Sequence, residues 1–377
     1  MIFKKICYIT SSRSDYAKVK NLLKQINEDD EFELYIIATS AQIKQRFGDG
    51  VQELIDDGLT IHKRVDCMVE GDNRLAMLKS SAMEIYELTN IIDELKPDLG
   101  LVVGDRFDML TSVYVLSMMN IPIAHIQGGE KTGTIDDVIR DVMTKFAHIH
   151  FVSNEDARQR VESLSEDRQY IYNVGCPSFD YIKSLDIPDD IDYNILLPFC
   201  KDDIDISKKD DYFIVIVHPN VAIEEDIDMK IILDALDNFE NKKAIFYPNT
   251  DPFHQKIINA INRKHDYMKF KHISMECFMM LLKHCKCMIG NSSSGIRETC
   301  FFGVPTVNIG RRQEGRLSGK NVVNVKCSED DIVSGIKSVY NKTFEPEYLY
   351  GNGASSDKIV DILKSYDNFE YKNICIK

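Results

Sequence analysis

Short apolar runs alternate with longer stretches of helical periodicity along most of this chain. Leu99–Val103 is continuously apolar, which is typical of a strand buried on both faces of a sheet. Ile123–Ile126 and Ile149–Val152 repeat the pattern, and each precedes a polar turn and a helical stretch. Because strands that alternate with helices pair in parallel and are covered by helices on both faces, the pattern predicts an α/β fold.

The pattern occurs twice, on either side of an acidic stretch near residues 186–211 that has no clear period. We interpret this stretch as a linker between an N-terminal domain, residues 1–185, and a C-terminal domain, residues 205–350. The final helical stretch, within residues 355–377, is expected to pack back on the N-terminal domain. Doubly wound sheets bind ligands beyond the carboxyl ends of their strands, so functional residues are expected in the turns that directly follow strands.

Composition argues against several classes of protein. Sixty Asp and Glu residues against 46 Lys and Arg give a net charge of −14, whereas a general nucleic-acid binder needs a basic surface. No apolar stretch approaches the roughly 20 residues that span a bilayer, and the N-terminus lacks the pattern of a signal peptide. The ten cysteines contain no C-x-x-C pair, which argues against a zinc site or a disulfide framework. We therefore expect a cytoplasmic protein with no metal, no membrane segment and no nucleic-acid partner.

Two turns after predicted strands in the first half combine basic and acidic side chains. The turn at residues 11–15 places Arg13 among hydroxyls and amides at a helix start, which suits a phosphate or a carboxylate. An ordinary helix cap by Ser14 or Asp15 explains this turn equally well. In the turn at residues 104–108, adjacent Asp105 and Arg106 can supply a base and an anion clamp, or a salt-bridged helix start.

Carboxylates are concentrated after the next predicted strand. Glu130, Asp136 and Asp137 lie within one loop-to-helix segment, and neighbouring carboxylates raise one another's pKa, so that one can act as acid and another as base. Helix capping is the alternative role for Asp136 and Asp137. His125, on the strand itself, is either functional or a half-buried structural residue.

In the second half, residues 290–298 join a predicted strand to a helix. Ser292 and Ser293 expose successive amides at the helix start, which fits a diphosphate, and Glu298 is placed to accept hydrogen bonds from a ribose diol. A serine-rich helix cap is the alternative. Neither a Walker loop nor a G-x-G-x-x-G motif occurs in the chain. The other polar residues at strand ends in this half are His218, Asn249 and Arg312.

Taken in order, these motifs resemble the hydrolysing UDP-N-acetylglucosamine 2-epimerases of the sialic-acid-precursor type, including the epimerase half of the bifunctional animal epimerase/N-acetylmannosamine kinase. The resemblance spans roughly residues 8–316. The matching strings are RSDY at 13–16, GDRFD at 104–108, HIQGGE at 125–130, GTIDD at 133–137, GNSS at 290–293, RE at 297–298 and RQ at 312–313.

The resemblance implies two Rossmann-like domains in a glycosyltransferase-B arrangement with an interdomain cleft. It implies that a UDP-2-acetamido sugar is cleaved by water with inversion at C2, so that UDP-N-acetylglucosamine yields N-acetylmannosamine and UDP. Elimination of UDP to a 2-acetamidoglycal is followed by hydration. No metal or cofactor is implied, and a homodimer or homotetramer is expected.

The resemblance also implies roles for individual residues. Asp105 and Asp136 are candidate acid/base residues, with Glu130 nearby. Gln127 stands where the family commonly has a catalytic Glu, and a carboxamide cannot act as a base near neutral pH. Either the role passes to Glu130, Asp105 or Asp136, or the activity is low. The residues that match UDP-contacting positions are Arg13, Arg106, His218, Asn249, Ser292, Ser293, Glu298 and Arg312.

Four alternatives remain open at this point. The same reaction can act on UDP-2,4-diacetamido-2,4,6-trideoxyglucose, as in legionaminic-acid pathways. A non-hydrolysing epimerase would interconvert UDP-sugars without releasing UDP. A glycosyltransferase shares the two-domain arrangement. A nucleotide-sugar-binding module would have lost its chemistry together with the Glu at position 127.

Overall fold

The structure is a computed structural model of the chain. It describes residues 4–44, 50–71, 73–133, 135–164, 170–188, 196, 211–220, 227–249, 251–271 and 273–366. Most of the stretch interpreted as a linker, near residues 186–211, lies outside the described residues. The chain divides into two compact units. The first unit comprises Met1–Glu130, Asp136–Ser184 and Tyr350–Lys377, and the second comprises Lys131–Ile135 and Leu185–Leu349.

The first unit is a seven-stranded parallel sheet with helices between successive strands. Its strand order is β3-β2-β1-β4-β5-β6-β7. The strands are β1 Lys4–Thr10, β2 Phe32–Thr39, β3 Ile61–Val65, β4 Leu99–Val103, β5 Ile123–Ile126, β6 Ile149–Val152 and β7 Ile171–Asn173. The helices up to the linker are α1 Arg13–Glu28, α2 Gly50–Asp56, α3 Arg74–Leu95, α4 Phe107–Met118, α5 Ile135–Phe146, α6 Glu155–Leu164 and α7 Ser178–Ser184.

The second unit is a six-stranded parallel sheet of the same kind, with strand order β10-β9-β8-β11-β12-β13. The strands are β8 Tyr212–Ile216, β9 Lys242–Phe246, β10 Met268–Phe270, β11 Cys287–Gly290, β12 Thr306–Ile309 and β13 Val322–Val325. The helices are α8 Met229–Leu236, α9 His254–Asn262, α10 Met275–His284, α11 Glu298–Phe302 and α12 Glu329–Val339. The predicted class, an α/β chain with two Rossmann-like units, is confirmed.

The strand order reverses once in each sheet, between β1 and β4 in the first unit and between β8 and β11 in the second. The turns after these strands diverge to opposite faces of the sheet, which leaves room for a ligand at the carboxyl edge. The turns at 11–15 and 104–108 flank the reversal in the first unit. His218 and the turn at 290–298 flank it in the second. The topology therefore places the motif turns where doubly wound sheets bind their ligands.

Helix boundaries follow local capping chemistry. The periodicity predicts a helix over residues 75–95 that stops before Pro97, and α3 spans Arg74–Leu95. The side chain of Asn73 caps its N-terminus by accepting a hydrogen bond from the amide of Ala76 at 2.9 Å. Lys96 adopts a left-handed conformation (φ 47°) that ends the helix. In the part of the chain that the structure describes, none of the helices has the length and apolar character needed to cross a bilayer.

The last described helix, α13 Ser355–Ser365, packs against α1 and α7, although it follows the second unit in sequence. Ile359 and Leu363 are buried in the same core as the strands of the first sheet. Asp180 of α7 fixes the start of the helix, because its carboxylate accepts hydrogen bonds from the amides of Ser355 and Ser356. The first sheet therefore depends on a segment from the far end of the chain.

Replacement of Ile359 by Ala is expected to destabilise the first unit by about 2–4 kcal/mol, because it opens a cavity between α13 and α1. Lys358→Ala changes the neighbouring exposed position and is expected to cost less than about 0.5 kcal/mol. Urea unfolding followed by circular dichroism measures both. Equal losses in the two variants would contradict the packing of α13.

Candidate active site

A buried arginine, Arg140 of α5, organises the acidic residues of the first unit. Its side chain is 1% exposed. Its Nη2 forms an ion pair with Oδ2 of Asp105, directly after β4, and its Nη1 lies 2.8 Å from Oδ1 of Asp137. Nη1 also donates a hydrogen bond to the carbonyl oxygen of Glu130. We call these four residues the Arg140 cluster.

The positive and negative charges of the Arg140 cluster stabilise one another. Burial by itself lowers the pKa of the Arg140 guanidinium, but the negative charges of Asp105 and Glu130 and the hydrogen bond to Asp137 raise it above its ordinary value. The guanidinium therefore stays charged, and a charged guanidinium favours the ionised form of a bonded carboxylate. Since Asp136 is the neighbour of Asp137 in the first turn of α5, the cluster brings Asp105 to the helix end that carries Asp136.

The carboxylate of Glu130 is held by a hydrogen bond as well as its carbonyl oxygen. Its Oε1 accepts a 2.6 Å hydrogen bond from Oγ of Ser153, the residue that directly follows β6. Both side chains are buried. The carbonyl oxygen of Glu130 is held by Arg140 and its carboxylate by Ser153, so its position is set from two neighbouring elements.

Gln127 lies in the turn after β5 and is buried in a left-handed conformation (φ 68°). Its Nε2 donates to Sγ of Cys176 at 2.9 Å, and this sulfur also lies 2.9 Å from Oγ of Ser178. A carboxamide can donate in this way, whereas an ionised carboxylate at the same place can only accept. The carboxamide that the sequence carries at this position is thus hydrogen-bonded to a buried sulfur.

His125 is buried and neutral. Its Nε2 lies 2.8 Å from the carbonyl oxygen of Gly104, which can only accept, so Nε2 carries the proton. Burial lowers the pKa of the imidazole to about 4, against the opposing effect of this hydrogen bond. The ring links β5 to the turn that carries Asp105, which is a positioning role. Of the two interpretations of His125, the structure thus favours the structural one.

The turn after β1 contains both a helix cap and an arginine. Oδ2 of Asp15 accepts hydrogen bonds from the amides of Ser11 and Ser12 at 3.2 and 3.0 Å, so Asp15 fulfils the capping role. Nη1 of Arg13 is buried and has no hydrogen-bond partner among the described residues. Burial lowers the pKa of Arg13 to about 10, which leaves it charged at neutral pH. A buried guanidinium nitrogen without a protein partner is suited to an anion.

Arg106 follows Asp105 and forms an ion pair with Asp108. Its Nε and Nη2 each donate to the Asp108 carboxylate at 3.3 Å. These are long hydrogen bonds for a charged pair, whose usual length is about 2.7–2.9 Å. The turn at 104–108 thus contains a salt-bridged helix start.

In the second unit, Asn291 joins the turns on either side of the strand reversal. Its Oδ1 accepts from the amide of His218 at 2.7 Å, and its Nδ2 donates to the carbonyl of His218 at 2.8 Å. The amide of Asn249 donates to Nδ1 of His218 at 3.1 Å, so the neutral ring carries its proton on Nε2. Asn249 itself is exposed. Arg312 Nη1 donates to the carbonyl of Asn291 at 3.0 Å, which brings a cation to the same turn.

The serine-rich turn is capped as the alternative interpretation predicted, since Oγ of Ser292 accepts a 3.4 Å hydrogen bond from the amide of Ser294. Ser293 begins the short 3-10 helix Ser293–Gly295. Glu298 is the first residue of α11, and its Oε2 is buried without a partner among the described residues. A ligand hydroxyl is the kind of donor that would satisfy this oxygen.

The structure therefore groups the sequence candidates by unit. Asp105 and Glu130 belong to the Arg140 cluster in the first unit, and Asp136 is next to Asp137 in the first turn of α5. In the second unit, His218 and Arg312 contact Asn291, and Asn249 contacts His218. Sequence reasoning missed Arg140, the residue that joins the acidic side chains. The signal in the sequence was its spacing: Arg140 follows Asp137 by three residues and Asp136 by four, which places the three side chains on one face of a helix. Among the described residues, no group of three or more His, Cys, Asp and Glu side chains is arranged to hold a metal.

The fold and the residues at its strand ends define an α/β protein with two Rossmann-like units and polar sites at the carboxyl edges of its sheets. A family model described as UDP-N-acetylglucosamine 2-epimerase matches residues 24–364. The chain belongs to this family, and the resemblance drawn from the motifs is confirmed.

Individual relatives agree with this assignment. The chain is 31% identical to a GDP/UDP-N,N'-diacetylbacillosamine 2-epimerase (hydrolyzing) of Campylobacter jejuni, over 87% of this chain and 86% of the relative. It is 29% identical to a UDP-N-acetylglucosamine 2-epimerase of Neisseria meningitidis, over 96% of this chain and 95% of the relative. The solved UDP-GlcNAc 2-epimerase of Methanocaldococcus jannaschii, in complex with UDP-GlcNAc and UDP, has a similar fold, with a TM-score of 0.80 at 16% identity over 96% of this chain and 99% of that chain.

Replacement of Arg140 by Met is expected to lower the free energy of unfolding by about 3 kcal/mol, because the variant leaves the carboxylates of Asp105 and Asp137 without their cation. Arg158→Met is the matched control. Arg158, in α6, is also paired with two carboxylates, Glu155 and Glu162, but is one-third exposed. The control is expected to lose less than about 1 kcal/mol. Urea unfolding of both variants at neutral pH measures the difference, and a small, equal loss in the two would contradict the organising role of Arg140.

Proposed function

We propose that this protein is a hydrolysing 2-epimerase that converts UDP-N-acetylglucosamine to N-acetylmannosamine and UDP. The observation that carries the proposal is the Arg140 cluster, which holds Asp105 and Glu130 next to the first turn of α5, where Asp136 lies. Membership of the UDP-N-acetylglucosamine 2-epimerase family supports the same reaction class.

The reaction needs a base, an acid and stabilisation of positive charge. The proton on C2 of the sugar is weakly acidic and passes to a carboxylate as the C1–O bond to UDP breaks, which leaves a 2-acetamidoglycal. Water then adds its oxygen to C1, and a proton returns to C2 on the opposite face. Asp105 and Asp136 are the proposed proton-transfer residues. Their negative charge also stabilises the oxocarbenium character that develops at C1.

Departure of UDP needs donors for the diphosphate. Arg13, Arg106 and Arg312 are proposed as cationic contacts of the diphosphate. His218 contributes a donor, since its proton is on Nε2. Ser292 and Ser293 are proposed as further diphosphate contacts, Glu298 as the acceptor for the ribose diol, and Asn249 as a contact of the nucleotide.

Asp105→Asn is expected to lower kcat by about 10²–10⁴-fold, the usual contribution of a proton-transfer group. Asp156→Asn removes an exposed carboxylate from α6 and is expected to leave kcat unchanged. The assay follows UDP-N-acetylglucosamine by NMR. Free UDP with N-acetylmannosamine supports the proposal. UDP-N-acetylmannosamine without free UDP indicates a non-hydrolysing epimerase, UDP release only with an added acceptor indicates a transferase, and binding without turnover indicates a module without chemistry.

A second candidate substrate is UDP-2,4-diacetamido-2,4,6-trideoxyglucose, the sugar nucleotide of N,N'-diacetylbacillosamine. The name of the Campylobacter jejuni relative favours it and also mentions GDP. The same assay with this sugar linked to UDP and to GDP distinguishes the candidates. The three substrates compared are UDP-N-acetylglucosamine and the diacetamido sugar linked to UDP or to GDP. The substrate is assigned if its kcat/KM is at least about tenfold higher than that of the other two, which corresponds to about 1.4 kcal/mol of transition-state discrimination.

Gln127→Glu tests whether catalysis requires an amide or a carboxylate at position 127. A glutamate loses the hydrogen bond that Gln127 donates to Cys176 and adds a buried negative charge, so kcat is expected to fall or to stay within about threefold of wild type. Gln127→Leu removes the hydrogen bond without adding charge and serves as the control. A gain of about 100-fold or more in kcat for Gln127→Glu would mean that the missing carboxylate limits the reaction.

A further inference from the structure

Glu84 of α3 is buried in the first unit, with 1% of its surface exposed. Both carboxyl oxygens contact threonine hydroxyls at 2.7 Å: Oε1 contacts Thr39, the last residue of β2, and Oε2 contacts Thr111 of α4. Among the described residues, no cation is hydrogen-bonded to this carboxyl group. Because a buried carboxylate without a bonded cation is strongly disfavoured, this environment favours a neutral carboxyl group.

The Thr111 hydroxyl shows where the proton lies. Its Oγ1 is 2.6 Å from the backbone carbonyl oxygen of Asp108, which can only accept a hydrogen bond. The single hydroxyl proton is therefore used for that carbonyl. The 2.7 Å contact between Thr111 and Glu84 is then a hydrogen bond only if Glu84 is the donor. The hydrogen bonds run in one direction, from Thr39 through Glu84 and Thr111 to the carbonyl of Asp108.

The electrostatics agree with this direction. Burial and the negative charge of Asp108 raise the pKa of Glu84 to about 8, against the opposing effects of the hydrogen bond from Thr39 and of Arg106. The Asp108 side chain is itself buried and is the carboxylate to which Arg106 donates. The titratable and charged groups that face Glu84 and Asp108 are Arg106, Cys67 after β3, and Asp15 of α1 with its neighbour Lys18.

We propose that Glu84 is a positioning residue that stays protonated at neutral pH and so keeps a second negative charge away from the Arg106–Asp108 pair. With Glu84 neutral, Asp108 and Arg106 form a balanced pair whose hydrogen bonds are long. Loss of the Glu84 proton adds a second negative charge beside Asp108. That charge draws the guanidinium inward and weakens its hold on a diphosphate. The inference rests on the proposed function only for the identity of that anion.

The dependence on pH has a defined sign. An unperturbed glutamate loses its proton near pH 4.5, whereas folded Glu84 keeps its proton up to about pH 8. Between these values the folded protein binds more protons than the unfolded chain, so Glu84 makes folding less favourable as the pH rises through this window. Above about pH 8, the Glu84 carboxylate is charged in both the folded protein and the unfolded chain. Its charge is then expected to weaken the binding of anions.

Infrared difference spectroscopy of the full-length protein tests the protonation directly. A buried protonated carboxyl group gives a carbonyl band that disappears when the group ionises. We expect wild type to lose such a band on titration from about pH 6 to about pH 10, and Glu84→Gln to lack it. Glu87→Gln, on the exposed side of the same helix, is expected to retain the band. A band that Glu84→Gln retains unchanged would overturn the proposal.

Isothermal calorimetry with UDP tests the effect on Arg106. We expect the Kd of wild type and of Glu87→Gln to rise about threefold to tenfold between about pH 7 and pH 9, as one added charge near a guanidinium would cause. The Kd of Glu84→Gln is expected to stay constant over this range. The same pH dependence in wild type and Glu84→Gln would overturn the link to Arg106. If none of the three proteins binds UDP, the proposed function is wrong, and the infrared band alone decides the state of Glu84.

Discussion

The charge of Arg140 is the constraint on which the first unit depends. A guanidinium that is 1% exposed has lost nearly all of its hydration and needs acceptors on several sides. The acceptors come from three segments: Asp105 from the turn after β4, the carbonyl of Glu130 from the loop after β5, and Asp137 from α5. Folding of these segments around one cation therefore sets the positions of the side chains to which we assign the chemistry.

With the exception of Arg13, the other ionisable groups described above at the same sheet edge are either paired or neutral. Arg106 is paired with Asp108, and Asp15 accepts amide hydrogen bonds at the start of α1. His125 is neutral because burial lowers its pKa to about 4. Glu84 lacks a bonded cation, and the direction of its hydrogen bonds makes it neutral as well. Arg13 is the exception, since its Nη1 has no described partner, and this is what an anion site requires.

The sequence predicted the central strands well because they are continuously apolar. The bounds of β4, β5 and β6 match the apolar runs Leu99–Val103, Ile123–Ile126 and Ile149–Val152 in full. The edge strands were harder to predict. In β3, the segment IHKRV is largely exposed, and β7 and β10 have three residues each, too few for a periodic signal. Helix α13 carried a clear pattern and was expected to pack back on the N-terminal domain, but a local pattern could not show that it packs against α1, which lies more than 300 residues earlier.

Within the site, the motif turns were visible as polar residues after strands, because parallel strands present their carboxyl ends at one edge. The residues that hold them in place were not visible. Arg140 and Glu84 read as ordinary charged positions on helices, since only the tertiary structure removes them from water. Their roles come from distances between elements, such as the contact of Glu84 with Thr39 and Thr111. Sequence motifs thus revealed candidate ligand contacts, and the structure revealed what positions them.

The most direct test of the proposed chemistry is turnover in heavy water. If a carboxylate removes the proton on C2 and a solvent-derived proton replaces it, the released 2-epimer must carry one deuterium at C2. Mass spectrometry and NMR of the product formed from unlabelled UDP-N-acetylglucosamine, or from its diacetamido analogue, locate the label. The account predicts essentially complete deuteration at C2 of the product. A released sugar that retains its original hydrogen at C2 would contradict proton transfer at this centre.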